Sequence, residues 1–198
     1  MALVEPASTA ALEDFAPVME LLEAHMGFVP NSIKTMARSP EIANAFVGLS
    51  YAVLGAPGTL GDDLKMLIGF AASAAQGCRY CQAHTAHGAA RAGVDAAKIR
   101  ALWDFEQSPL FNDAERAAMR FAQCAAQTPA LTGDAEKAAL MAHFSDEQII
   151  EIISVIALFG FLNRWNDAME TTLEEEPASH ARAALGDGWN AGKHGAGD

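Results

Sequence analysis

Residues 62–93, DDLKMLIGFAASAAQGCRYCQAHTAHGAARAG, decide the fold. Asp62 and Asp63 place acids in a first helical turn, and Leu64, Leu67, Ile68, Ala71, Ala72 and Ala75 recur at the spacing of one helix face before Gly77 ends the run. A second helix begins at Cys78-Arg79-Tyr80-Cys81 and continues to Ala92, with Gly93 as its stop. So many alanines on the first of these helices suit close helix-to-helix packing.

The same periodicity extends in both directions. Upstream, a helix starting near Ser8 or Thr9 presents Leu12, Phe15, Met19, Leu22 and Met26 until Gly27, and a turn at Pro30-Asn31-Ser32 follows. Ser39-Pro40-Glu41 then opens a helix through Phe46, Leu49 and Val53 to Gly55, where Pro57 and Gly58 break it. Downstream, Asp95 caps a short helix to Trp103, and Asn112 or Asp113 with Glu115 caps another to about Thr128. Residues 133–143 form a short helix, and Ser145-Asp146-Glu147-Gln148 reads as a capping box for the longest helix, roughly to Ala168. No useful run of alternating β-branched residues appears. The expectation is an all-α domain of about eight helices over residues 1–176, followed by a Gly-rich C-terminal tail over 177–198. Such a tail is mobile unless tied down. A neighbouring subunit is the expected host for its lone Trp189.

Composition narrows the function. With 51% hydrophobic and 19% charged residues in 198, the chain is apolar enough to bury a core and is not disordered. A net charge of -12 repels phosphates and anionic lipid heads, which argues against nucleic-acid and membrane partners. The N-terminal residues show no cationic start followed by an apolar run, and the apolar run 149–162 is short for a membrane span and carries Glu151. Three cysteines are the wrong number for a disulfide framework and fit a reducing cytoplasm.

Chemistry concentrates in residues 76–88, where Cys78 and Cys81 are three apart and His84 and His87 follow. At a helix start, Cys78 faces unpaired N–H groups and the positive end of the dipole, which favour thiolate. Cys81 lies one turn along and can close a disulfide with it, while His84, a turn further, can exchange a proton with Cys81. Helix position makes Cys78 the attacker, His84 favours Cys81, and the order stays open. Zinc is a poor fit: on one helix the four side chains turn about 60° per step and spread over about 13 Å, whereas the metal needs ligands within about 2.3 Å of a point. No metal and no cofactor are expected. His87 reads as a surface or packing histidine, and Cys124 as a packing cysteine in an Ala-rich helix. Asn163, Arg164, Asn166 and Asp167 interrupt the most apolar helix at its end, either as a polar terminus or as a site wall.

These residues are similar to the carboxymuconolactone decarboxylase superfamily, in its alkylhydroperoxidase D-like, peroxidase-related branch. The resemblance covers Val29 to Pro40, Leu64-Lys-Met-Leu-Ile, Gly77-Cys-Arg-Tyr-Cys81 and Phe161-Leu-Asn-Arg-Trp-Asn-Asp167. It implies an all-helical bundle assembled as a trimer or hexamer, with a two-cysteine site that reduces hydrogen peroxide or organic hydroperoxides and is reset by an external thiol. The family's relay acid, twelve residues before the first cysteine, is Met66 here; its histidine, four residues after the second, is Thr85; and Tyr80 replaces a histidine between the cysteines. Asp62 or Asp63, a turn before Met66, could supply the acid. The expected site is Cys78, Cys81 and His84, with Tyr80, His87, Asp62, Asp63, Asn163 and Asp167 as candidate supporting residues. The replaced relay acid keeps open a redox-sensing or thiol-exchange module with little turnover, and a third reading is a lyase or binding protein for a small organic acid.

Overall fold

The computed structural model describes residues 2–8, 12–13 and 15–195 and, at His25, the backbone alone. Among these residues it contains ten α-helices and no strand, against about eight expected. α1 (Ala16–Met26) ends on Gly27 in the left-handed region, φ 87°, as the glycine stop requires. The expected helix start fell at Ser8 or Thr9, and Thr9 lies outside the described residues. α2 (Asn31–Met36) and α3 (Pro40–Ser50) follow, and α3 continues into a wider π-helical turn, Tyr51–Gly55. α4 (Asp62–Gln76) and α5 (Arg79–Arg91) are joined by Gly77, φ 75°, and Cys78. α6 (Ala96–Arg100) is capped by the Asp95 side chain and runs on as a 3-10 turn to Asp104. Reciprocal capping boxes open α7 (Asp113–Ala125) through Asn112 and Glu115, and α9 (Asp146–Met169) through Ser145 and Gln148, with α8 (Asp134–His143) between them.

α9 is long and apolar enough by composition to cross a membrane. Its Ile152, Val155, Ile156 and Phe159 instead pack against α4, α5 and α7 in the main core, while Leu158 joins a second core with Phe15, Ile33, Met36 and Phe46. Gly69 lets α4 approach: a Cβ there would lie 2.5 Å from the Phe159 ring. Met66 packs on Gly88 in the same way, its sulfur 2.6 Å from where a Cβ would sit.

The C-terminal segment departs from expectation. α10 (Glu175–Leu185) is a regular helix on α5, with Pro177, Ala178, Ala181 and Leu185 buried. Pro177 stands in the first turn, where its missing N–H is no loss, so it starts a helix instead of opening a tail. Trp189 is 4% exposed within its own chain and donates from Nε1 to Gln82 Oε1 at 3.2 Å, so it needs no neighbouring subunit as host. A 3-10 turn, Gly192–His194, closes the described chain with His194 buried.

Candidate active site

Gly77 reverses the chain in the left-handed region, and Cys78 N donates to Ser73 O at 3.1 Å, which sets Cys78 at the N-cap of α5. Its backbone is extended (φ -77°, ψ 101°), and its carbonyl accepts the first helical bond, from Gln82 N at 3.1 Å. Cys81 follows one turn along. Both thiols are free and buried, at 0% and 2% exposure.

The two sulfurs are not equivalent. A hydrogen bond from Cys81 holds Cys78 down to a pKa of about 5; burial opposes this, and the nearby His194 side chain adds to it. Cys81 is pushed well above its ordinary value, first by burial and then by its bond to Cys78 and that sulfur's charge. Asn166 on α9 points Nδ2 at Cys81 Sγ from 3.6 Å. The arrangement is a thiolate at a helix start beside a protonated partner, the pairing that thiol–disulfide chemistry uses.

Around this pair lies a network centred on Glu174, the N-cap residue of α10. Glu174 Oε2 meets His84 Nε2 at 2.7 Å, and Oε1 accepts from the Tyr80 hydroxyl at 2.7 Å and from Asn31 N. The Tyr80 oxygen also accepts from Ser32 N at 3.4 Å, and the Tyr80 and His84 rings stack with centroids 4.3 Å apart. Burial works against the Glu174 charge, but His84, the Asn31 amide and Tyr80 outweigh it and keep the carboxyl below its ordinary pKa. Burial, then the Glu174 charge, push the Tyr80 phenol well above its usual value. His84 therefore turns Nε2 to a carboxylate.

Other predicted residues divide into two groups. Asn163 (2% exposed) stands a turn before Asn166, with neither amide atom hydrogen-bonded within the described structure. Asp167 pairs with Lys193 at 2.9 Å and lies 3.8 Å from His194 Nε2. Asp62 and Asp63 are exposed in the first turn of α4, while Met66, at the position of the family's acid, packs on Gly88. His87 pairs with Glu176 at 3.3 Å and packs near Phe28, and burial lowers its pKa against the pull of Glu176. Cys124 sits apart on α7.

Two residues escaped the sequence reading. Glu174 opens an acidic run, Glu174-Glu175-Glu176, that looks solvated, although the following Pro177 signals a helix start with Glu174 at its cap. His194 lies among glycines with no periodic neighbour, and no local signal marks it. α5 is continuous, so the Cys78, Cys81, His84 and His87 side chains spread along its axis. Among the described residues no three Cys, His, Asp or Glu side chains gather as a metal site.

Residues 40–123 match the carboxymuconolactone decarboxylase family. The uncharacterized protein YnjA of Escherichia coli K12 is 36% identical over 93 residues, 47% of this chain and 51% of YnjA, so the match spans about half of that protein. The debrominase Bmp8 superposes with a TM-score of 0.83 at 37% identity, covering 90% of this chain and 95% of Bmp8. A cysteine-to-alanine variant of Bmp8 in complex with 2,3,4-tribromopyrrole gives a TM-score of 0.86 at 35% identity over 93% of this chain and 98% of that one. An alkylhydroperoxidase AhpD core protein of Ralstonia eutropha JMP134 shares the fold, with a TM-score of 0.80 at 24% identity over 89% of this chain and 94% of its own. With the family match over residues 40–123 and the likeness to Bmp8 over almost the whole of both chains, these findings establish that the chain belongs to the carboxymuconolactone decarboxylase superfamily and has the alkylhydroperoxidase D-like fold.

Proposed function

We propose that the protein reduces hydrogen peroxide or organic hydroperoxides with the Cys78/Cys81 pair and is reset by an external dithiol. The observation that carries this reading is the asymmetry of the pair, an acidic Cys78 at a helix N-terminus one turn from a protonated Cys81. The Cys78 thiolate attacks one peroxide oxygen, the O–O bond breaks, and the departing oxygen takes a proton to leave as water or alcohol. Cys78 is then a sulfenic acid. The Cys81 sulfur attacks it, the S–S bond forms, and water carries away the hydroxyl and the Cys81 proton. Two thiols and one hydroperoxide thus become a disulfide, an alcohol and water. Two exchange steps with the external dithiol restore both thiols. The His84–Glu174–Tyr80 network braces the middle of the Cys-x-x-Cys turn.

A second reading has a specific support, the likeness to Bmp8 over almost the whole of both chains. In it the Cys78 thiolate takes a bromine from an aromatic carbon, that carbon receives a proton, and Cys81 closes the disulfide with release of bromide. The electron count is the same, and only the electrophile differs.

The reading includes a homo-oligomer, trimer or hexamer, as the family resemblance implies, and free thiols kept in a reducing cytoplasm. Exposed Ile150, Ile153 and Phe161 along one side of α9 support an intersubunit contact.

The test supplies dithiothreitol with hydrogen peroxide, cumene hydroperoxide or 2,3,4-tribromopyrrole and follows loss of each. Loss of a peroxide that requires both Cys78 and Cys81 supports the first reading, and bromide release alone supports the second. A disulfide that forms with no turnover of any of the three leaves a redox-sensing module.

A further inference from the structure

His194 stands 116 residues after Cys78, yet both are buried, at 1% and 0% exposure, and the imidazole lies within electrostatic reach of the Cys78 sulfur. Its Nδ1 is 2.8 Å from Thr171 O. A carbonyl only accepts, so Nδ1 carries the hydrogen, and in the neutral ring Nε2 keeps its lone pair. That Nε2 has no hydrogen-bond partner among the described residues, and Asp167 Oδ1 stands 3.8 Å away. The ring edge packs on Tyr80, centroids 5.8 Å apart.

The turn that carries His194 is fastened on several sides. Leu173 N donates to His194 O at 2.8 Å, Arg79 Nη1 to Asn190 O at 3.0 Å, and Trp189 Nε1 to Gln82 Oε1 at 3.2 Å. Lys193 reaches Asp167 at 2.9 Å. A histidine merely filling space would not need a fixed tautomer, a carboxylate near its free nitrogen and a clamp of this kind.

We propose that His194 is the catalytic acid–base residue of this site, taking the Cys78 thiol proton at Nε2 and returning it to the leaving group. The proposal deepens the dithiol reading and rests on Cys78 being the attacker. Before reaction the S–H bond of Cys78 breaks and an N–H bond forms at Nε2, giving a thiolate–imidazolium pair beside Asp167. When the thiolate attacks, the Nε2 proton passes to the departing oxygen, or to the aromatic carbon if a bromide is the substrate. His194 is then neutral and Cys78 holds the transferred atom. The depressed Cys78 titration agrees with such a pair. Titratable or charged groups facing it are Cys81 and Tyr80 from α5, Asp167 from α9, and Lys193 through Asp167.

The test is the pH profile of Cys78 alkylation by iodoacetamide, read by peptide mass in the full-length reduced protein and in His194→Gln. General acid–base help is typically worth about 10²- to 10⁴-fold. The variant should alkylate Cys78 at least about tenfold more slowly at pH 6, with the profile moved to higher pH, and added imidazole should restore part of the rate in His194→Gly. An unchanged profile in a folded variant overturns the proposal. Should the variants not fold, the ¹⁵N spectrum of the unaltered protein replaces them: at pH 7 His194 Nε2 should show an imidazolium signal that turns neutral in Cys78→Ser, and a signal indifferent to that change overturns the proposal. Peroxide oxidation of the wild-type pair, followed in parallel, separates the two ideas. Its absence removes the peroxidase reading and leaves the His194 result standing.

Discussion

Cys78 is held by its own helix, whereas Glu174 and His194 reach that helix from the far end of the chain, Glu174 across 90 residues from His84. The first arrangement is local. Gly77, the Ser73 carbonyl and the first bond of α5 fix the sulfur at a helix N-terminus whatever the remote chain does. The second depends on tertiary burial, because a carboxylate and an imidazole belonging to a loop and a 3-10 turn keep their places only while α10 and Trp189 stay packed on α5. The motif end should therefore tolerate damage to the C-terminal segment structurally while losing its chemical tuning.

Breaking the C-terminal anchor is the strongest way to part the two regions. Trp189→Ala removes a buried indole and its bond to Gln82, and a loss of about 3–5 kcal/mol is expected in urea unfolding. A loss under about 1 kcal/mol would mean that the segment is decoration, since isolated surface changes fall in that range.

Glu174→Ala comes next, at about 3 kcal/mol, because buried donors orphaned on Tyr80 and Asn31 cost about 1–3 kcal/mol each. The same carboxylate gives a signed pH effect. Its pKa in the folded protein lies below the ordinary value, so its contribution is complete above the unfolded-chain pKa of about 4.3 and is lost as the pH falls through the lower folded value. Wild-type minus Glu174→Gln stability should shrink on acidification below about pH 4.3, and a difference that grows would contradict the pairing.

On the motif side, Gly69→Ala pushes a Cβ to 2.5 Å from the Phe159 ring, and overpacking of that kind costs about 1–3 kcal/mol. Thermal melts read the effect, and a variant as stable as wild type would mean that α4 and α9 have room to part. The smallest effect belongs to His87→Ala. Its partner Glu176 is half exposed, so the lost pairing itself should cost under about 1 kcal/mol, with Cys78 alkylation at neutral pH scarcely altered. A larger loss of reactivity there than in His194→Gln would reverse the assignment of the base.

The helices were legible where caps and glycine stops are local. Gly27, Gly77, Asp95, Asn112 and Ser145 end or begin helices as their side chains or left-handed backbones require. The Cys-x-x-Cys and its place at a helix start were legible for the same reason. Residues 174–195 were not. Pro177 serves as a first-turn proline or as a breaker, and only packing of Ala178, Ala181 and Leu185 on α5 decides between them. His194 has no local signature, since its partners are a carbonyl, a sulfur and a carboxylate on other elements. His84 was recognised, but its pairing with Glu174 instead of a sulfur depends on the same unread segment.

The most direct test of the Cys78/Cys81 redox pair is the mass of the intact reduced protein after one equivalent of hydrogen peroxide, with and without subsequent alkylation in denaturant. The expected product has lost two hydrogens and takes up one alkyl group, on Cys124, with dithiothreitol restoring all three sites. Uptake of three alkyl groups after peroxide treatment, with Cys78 and Cys81 both modified, would contradict it.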